Sequence, residues 1–154
     1  MRLPLAITGL SRVVAPGYRG RNPTETDPMR LLFLASAGGA LGAGARYLTN
    51  VGFQRWLGAQ FPWATLAENV AGSALMGFLL EMILRRFEGS PELRVFLLTG
   101  ILGGFTTFSA FSLDFAQLIE RGETGAAFGY LAASVFVSIA ALYLGFAVAR
   151  AVFP

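Results

Sequence analysis

The sequence predicts an all-α integral membrane protein with four transmembrane helices per subunit, and three observations carry that expectation. Of 154 residues, 55% are hydrophobic and 14% charged, whereas a water-soluble domain is usually about a quarter charged. The apolar residues gather in four long stretches joined by short connections. There is no cysteine and no histidine, which removes thiolate and Ser-His-Asp nucleophiles, zinc and haem ligation, and disulfide frameworks. A hydrophobic fraction this high also excludes a disordered chain.

The first 28 residues stand apart. They hold Arg2, Arg12, Arg19 and Arg21 with Pro4, Pro16, Pro23 and Pro28, and no helical or strand period survives that proline density. The segment reads as a disordered N-terminal extension. A signal peptide fits poorly, because Pro4, Thr8 and Gly9 interrupt the apolar residues 3–10 and Pro16 follows the small residue Ala15. Met29, directly before Arg30 and the first apolar stretch, is an alternative start.

Residues 29–154 form the membrane unit. The apolar stretches run over residues 31–53, 64–84, 95–119 and 125–152. Each exceeds the roughly 20 residues that cross a hydrocarbon core of about 30 Å. The connections are residues 54–63, with Trp56 and Trp63 as interfacial aromatics, 85–94, with Pro91, and 120–124. A barrel would instead need alternating ten-residue segments. All 12 basic residues are Arg, against nine acids, for a net charge of +3. They sit between the spans rather than along one face, as interfacial anchors do and nucleic-acid binders do not. Arg30, Arg85, Arg86, Arg94 and Arg150 share the side of the termini, against Arg46, Arg55 and Arg121. That leans toward cytoplasmic termini, with a bias weak enough to permit insertion both ways.

Small residues let membrane helices approach closely. Gly38, Gly39, Gly42 and Gly44 cluster in the first span and Gly72 and Gly77 in the second, which suits packing within a subunit and an oligomer alike. The third span reads Gly103-Gly104-Phe105-Thr106-Thr107-Phe108-Ser109-Ala110-Phe111, poor helix material at mid-membrane. A helix broken there frees backbone carbonyls that carry partial negative charge, for which a hard cation such as sodium is the natural partner. Phe108 and Phe111 are three apart and share a helix face. They either pack or turn the positive edge of the phenyl ring toward a small anion. Asn69 places a neutral amide in the second span, for a pathway or an interhelical hydrogen bond. Tyr130, Ser134 and Ser138 recur at i, i+4 and i+8, a hydroxyl-bearing stripe. Glu68 is a carboxylate in a span and so a functional candidate; its place near the helix start suggests that it snorkels to water.

Three motifs then resemble one family. Gly38-Gly39-Ala40-Leu41-Gly42-Ala43-Gly44-Ala45-Arg46-Tyr47 resembles the opening GGxxGAxxRY of the Fluc (CrcB) fluoride channels. Thr65-Leu66-Ala67-Glu68-Asn69-Val70-Ala71-Gly72-Ser73 resembles their TLxxNxxGS motif, and residues 103–112 resemble GGFTTFSTFS. The resemblance covers residues 29–150 and implies an antiparallel, dual-topology dimer in the bacterial inner membrane. Such a dimer exports fluoride passively through two pores and needs neither catalysis nor nucleic acid. It implies a structural, untransported sodium ion on backbone carbonyls of Gly103 and Thr106. It also implies pore contacts from Asn69, Phe108, Phe111 and Ser109, and structural roles for Arg46, Gly72 and Ser73. The polar track of the family's fourth helix would correspond to Tyr130, Ser134 and Ser138.

Three departures stand out: Ala110 replaces the usual Thr, Glu68 an apolar residue, and Asp114 a Glu. The competing expectation is a proton-coupled exporter of the small multidrug resistance kind, also a four-helix dual-topology dimer, with Glu68 exchanging protons for a cationic substrate. A packing subunit without transport is a third reading, which explains the glycines but not the Asn, Phe and Ser constellation.

Overall fold

The computed structural model describes residues 27–153. The expectation of a disordered N-terminal extension falls, through residue 26, outside the described residues. Among the described residues all regular structure is helical. Helix α1 (Pro28–Leu57) starts on Asp27, whose carboxylate accepts from the Met29 amide at 2.9 Å, with Pro28 in the first helical position. An acidic cap followed by proline is a strong start signal, because the cap satisfies an orphan amide and proline has none to lose. Helix α2 is Trp63–Arg86. Helix α3 (91–105) opens with Pro91–Leu93, runs as a π-helix over Arg94–Leu102 and closes with Gly103–Phe105. Helix α4 is Phe108–Glu120, and α5 is Thr124–Val152 with a π-helical turn at Ala133–Val137.

Among the described residues four segments are long and apolar enough to cross a membrane: Pro28–Leu57, Trp63–Arg86, Pro91–Glu120 and Thr124–Val152. All four start before the apolar stretches do, and the first three also end later. Gln54, Arg55, Arg85 and Arg86 stay helical, because backbone hydrogen bonding continues where hydropathy has already fallen. The turn from α4 to α5 shows how tightly a connection can close. Gly122 takes φ 78°, its amide bonds the Ile119 carbonyl, and the Glu123 amide bonds the Leu118 carbonyl, both at 2.9 Å. This is the Schellman arrangement, and glycine adopts the left-handed residue at no steric cost.

Two glycine seams set the packing. A Cβ on Gly38 or Gly42 of α1 would strike the backbone of Phe96, Gly100 or Ile101 of α3, and one on Gly104 would strike Gly39. On the other seam, Gly77 of α2 lies against Leu142 of α5, and Gly145 of α5 against Ala74 of α2. Gly72 of α2 is pressed on the Thr106 methyl group, which fixes where the end of α3 meets α2. Gly39 and Gly44 would carry a Cβ into open space. Helix α4 is fastened to α5 by a buried cluster of Phe111, Leu118, Ala127 and Tyr130. At the far end of α2, buried Glu81 accepts from Arg85 at 2.9 Å and from Arg150 of α5 at 3.0 Å.

Candidate functional site

The site is built where α3 hands over to α4. Thr106 (φ −83°, ψ 155°) and Thr107 (φ −154°, ψ 125°) are extended. Both the amide and the hydroxyl of Thr106 donate to the Leu102 carbonyl at 2.9 Å and close α3. The Thr107 hydroxyl accepts from the Ala110 amide at 3.2 Å and caps α4. The main-chain amide and carbonyl of Thr107 are both served by one side chain from α2. The Asn69 amide nitrogen donates to the Thr107 carbonyl at 3.2 Å, and its oxygen accepts from the Thr107 amide at 3.0 Å. Left unpaired in a buried setting, each group would cost about 1–3 kcal/mol. Asn69 therefore holds the junction as well as lining what lies beside it.

Beside it runs a groove of about 450 Å³. Its lining includes Asn69, Gly72, Ser73, Thr106 and Thr107, and with them Phe108, Phe111, Ser134 and Ser138. The two phenyl rings sit 5.4 Å apart, Phe111 buried at 7% exposure and Phe108 open at 78%. The Ser134 and Ser138 hydroxyls are buried with no hydrogen-bond partner, an uncommon condition for a polar atom inside a protein. Among the described residues no charged side chain lines the groove.

Two candidates of the polar constellation lie elsewhere. Tyr130 is fully buried behind Phe111, with ring centroids 5.3 Å apart, and its hydroxyl donates to Asp114 at 3.1 Å. Ser109 is exposed and hydrogen-bonded to the Thr107 hydroxyl at 3.1 Å. Asp114 lines a second, smaller cavity of about 180 Å³ with Asn50, Thr65, Gln117 and Arg121, below the loop from α1 to α2. Gly103, at the end of α3, is exposed, and Thr106 is half-buried. The Arg46 carbonyl accepts from the Asn50 amide at 3.2 Å. Gly72 makes the contact with Thr106 described above.

One expectation is corrected. Glu68 does not snorkel: it is 0% exposed and accepts from Asn50 of α1 at 2.8 Å. Its helix position turns it into the bundle, and Asn50 offers an amide there that water would otherwise have to supply.

Two residues of the site were not singled out from the sequence. Thr107 has a detectable signal, a Thr immediately before the amphipathic run 108–120, which is the pattern of a helix cap. Asn50 has a weaker one, a lone amide four residues after Arg46 in an apolar helix. The groove also includes Met76, Val135 and Leu142, which no local pattern distinguishes from lipid-facing residues.

The chain matches the family model described as CrcB-like protein, Camphor Resistance (CrcB), over residues 33–146. It is 52% identical over 122 residues to a fluoride-specific ion channel FluC of Rhodospirillum centenum, covering 79% of this chain and 97% of that one. A protein of the same name from Mesorhizobium japonicum is 56% identical over 119 residues, covering 77% and 95%. One from Agrobacterium fabrum is 52% identical over 120 residues, covering 78% and 96%. With motifs, four spans and relatives in agreement, this chain belongs to the CrcB family of ion channels, which are transporters and not enzymes.

Proposed function

We propose that this protein is a fluoride-selective channel that exports cytoplasmic fluoride passively, as an antiparallel homodimer in the bacterial inner membrane. One observation carries the reading: a groove walled by neutral donors and phenyl rings, without an ionised side chain. Fluoride is small and strongly hydrated, so a pathway must replace its water yet bind weakly enough to let it leave. The partnerless Ser134 and Ser138 hydroxyls are donors held ready. A primary amide has two N–H groups, and Thr107 takes one of those of Asn69. Phe108 and Phe111 add positive ring edges without a fixed charge that would trap an anion. Fluoride enters a cell as uncharged HF, ionises inside, and is driven out by the membrane potential, worth roughly 2.3 kcal/mol per charge for each 100 mV.

The second subunit is supported by what a single copy leaves open. Phe108 is a pathway ring at 78% exposure, and Gly44 offers a close-approach position that no other described residue uses. The weak arginine bias of the loops agrees with insertion in both orientations.

A structural sodium ion fits the same junction. Among the described residues no group of three or more His, Cys, Asp or Glu side chains is gathered to hold a metal. Backbone oxygen at the end of α3 is the hard-donor alternative. The Leu102 carbonyl is taken twice by Thr106, while Gly103 is exposed and can meet a partner. Gly103 and Thr106 would contribute the carbonyls. A bound ion would neutralise the partial negative charge that collects at that helix end.

The test is fluoride efflux from liposomes containing purified protein, with chloride as the comparison. We expect fast fluoride efflux, chloride retained, and loss of at least tenfold in rate in Phe108→Ile. Chloride leaving as readily, or efflux that needs a proton gradient, would overturn the reading. For the ion, Gly103→Val should abolish conduction and lower thermal stability in sodium buffers. Normal conduction by that variant would remove the carbonyl site.

A further inference from the structure

Glu68 is a buried polar group that the groove does not use. It is fully buried, one residue before Asn69 on α2. Successive helical residues diverge by about 100°, so Glu68 faces α1 while Asn69 faces the α3–α4 junction. One carboxyl oxygen accepts from Asn50; the other has no hydrogen-bond partner. Among the described residues no arginine pairs with it within 4.0 Å, although Arg46 of α1 and Asp114 of α4 act on it electrostatically with opposite signs. The Asp114 carboxylate is itself bound by Tyr130 of α5. Asn50 and Asp114 both line the smaller cavity under the α1–α2 loop, which gives this corner of the bundle a polar face.

A buried carboxylate with one bare oxygen and no paired cation is a high-energy arrangement in the charged form. Proton uptake relieves it: the proton adds to the bare oxygen, and the other oxygen keeps accepting from Asn50. A cation would relieve it too, but among the described residues no group of three or more His, Cys, Asp or Glu side chains is gathered to complete a site. We propose that Glu68 is a proton-binding site, and that fluoride crosses faster when the proton is bound. The inference rests on reading the groove as a fluoride pathway. A carboxylate charge one residue from Asn69 repels an anion at that wall of the groove, and protonation removes the charge without moving a helix. Asn69 transmits nothing by contact; the coupling is the field of one charge in a low-dielectric bundle. The consequence is a channel that conducts best in acid, the condition under which HF permeates cells fastest.

The experiment is fluoride efflux at equal inside and outside pH, stepped across the neutral range, in wild type, Glu68→Gln and Asn50→Leu. Wild-type efflux should fall several-fold as pH rises, while Glu68→Gln stays at the fast acid level throughout. Asn50→Leu removes the donor that stabilises the charged form, so its fall should move to higher pH. Infrared difference spectra of the wild-type protein should show a protonated-carboxyl band, growing in acid and missing in Glu68→Gln. A wild-type rate that does not change with pH, or a Glu68→Gln profile that still falls with pH, overturns the proposal. So does absence of the band. If no variant conducts fluoride at any pH, the fluoride pathway itself fails; fast fluoride efflux with a flat profile leaves that pathway intact and removes only the proton site.

Discussion

The two halves of α2 bury the same kind of residue under opposite conditions. Glu81, toward the C-terminal end, is held by two guanidinium groups, from Arg85 one turn on and from Arg150 across the seam. Glycines on both sides, Gly77 and Gly145, bring α2 and α5 into backbone contact there. In the N-terminal half, Glu68 has one amide and a bare oxygen. Across from that half, the Ser134 and Ser138 hydroxyls of α5 are buried with no partner. These three atoms are the buried side-chain polar atoms without a hydrogen bond among the described residues. Where the protein only has to hold together, its polar groups satisfy one another. Along the proposed pathway and at the proposed proton site they are left unsatisfied, at a cost in stability that a bound ion or proton would offset.

That contrast can be broken in order of expected effect. Gly145→Leu should be the most severe. A Cβ there meets the Ala74 carbonyl closer than any real contact, so α2 and α5 must separate. We expect no monodisperse protein after detergent extraction, and a normal elution profile would show that the seam is not the organising contact. Glu81→Gln should cost less. Both arginines are partly exposed, so they can turn to water, and the loss is about 1–2 kcal/mol rather than the several expected for a fully buried pair. It should read as a lower melting temperature, with fluoride efflux per folded channel unchanged; slowed efflux would give Glu81 a role in conduction. Ser138→Ala should barely move stability, or raise it by up to about 1 kcal/mol, because it deletes an unsatisfied hydroxyl. Fluoride efflux should nonetheless slow. A variant that melts lower and conducts normally would make Ser138 part of the scaffold instead.

The same division governs what could be read in advance. Asn69, Phe108, Phe111, Ser134 and Ser138 were separate candidates on three stretches of sequence, and all five line one groove. Tyr130 shares the helical register of the two serines, yet the ring of Phe111 stands in front of it and Asp114 takes its hydroxyl. Register gives a face; it does not say which neighbour covers that face. Helix ends show the opposite balance. Asp27 and Pro28 are a local start signal that marks the first residue of α1 more closely than hydropathy does. The π-helical run Arg94–Leu102 has no sequence mark that we can name.

Hydropathy and spacing alone determined four membrane-crossing segments, their order, and the residue types available for an ion. Those are sums over neighbours in the chain, and apolar length is sufficient in a bilayer where every backbone group must bond internally. Tertiary structure decided that Asn69 grips Thr107 from 38 positions away and that Asn50 reaches Glu68 from 18. It also decided that two serines keep their hydroxyls unpaired. A buried donor takes whatever acceptor the packing of the glycine seams puts within about 3 Å, and no local pattern carries that distance.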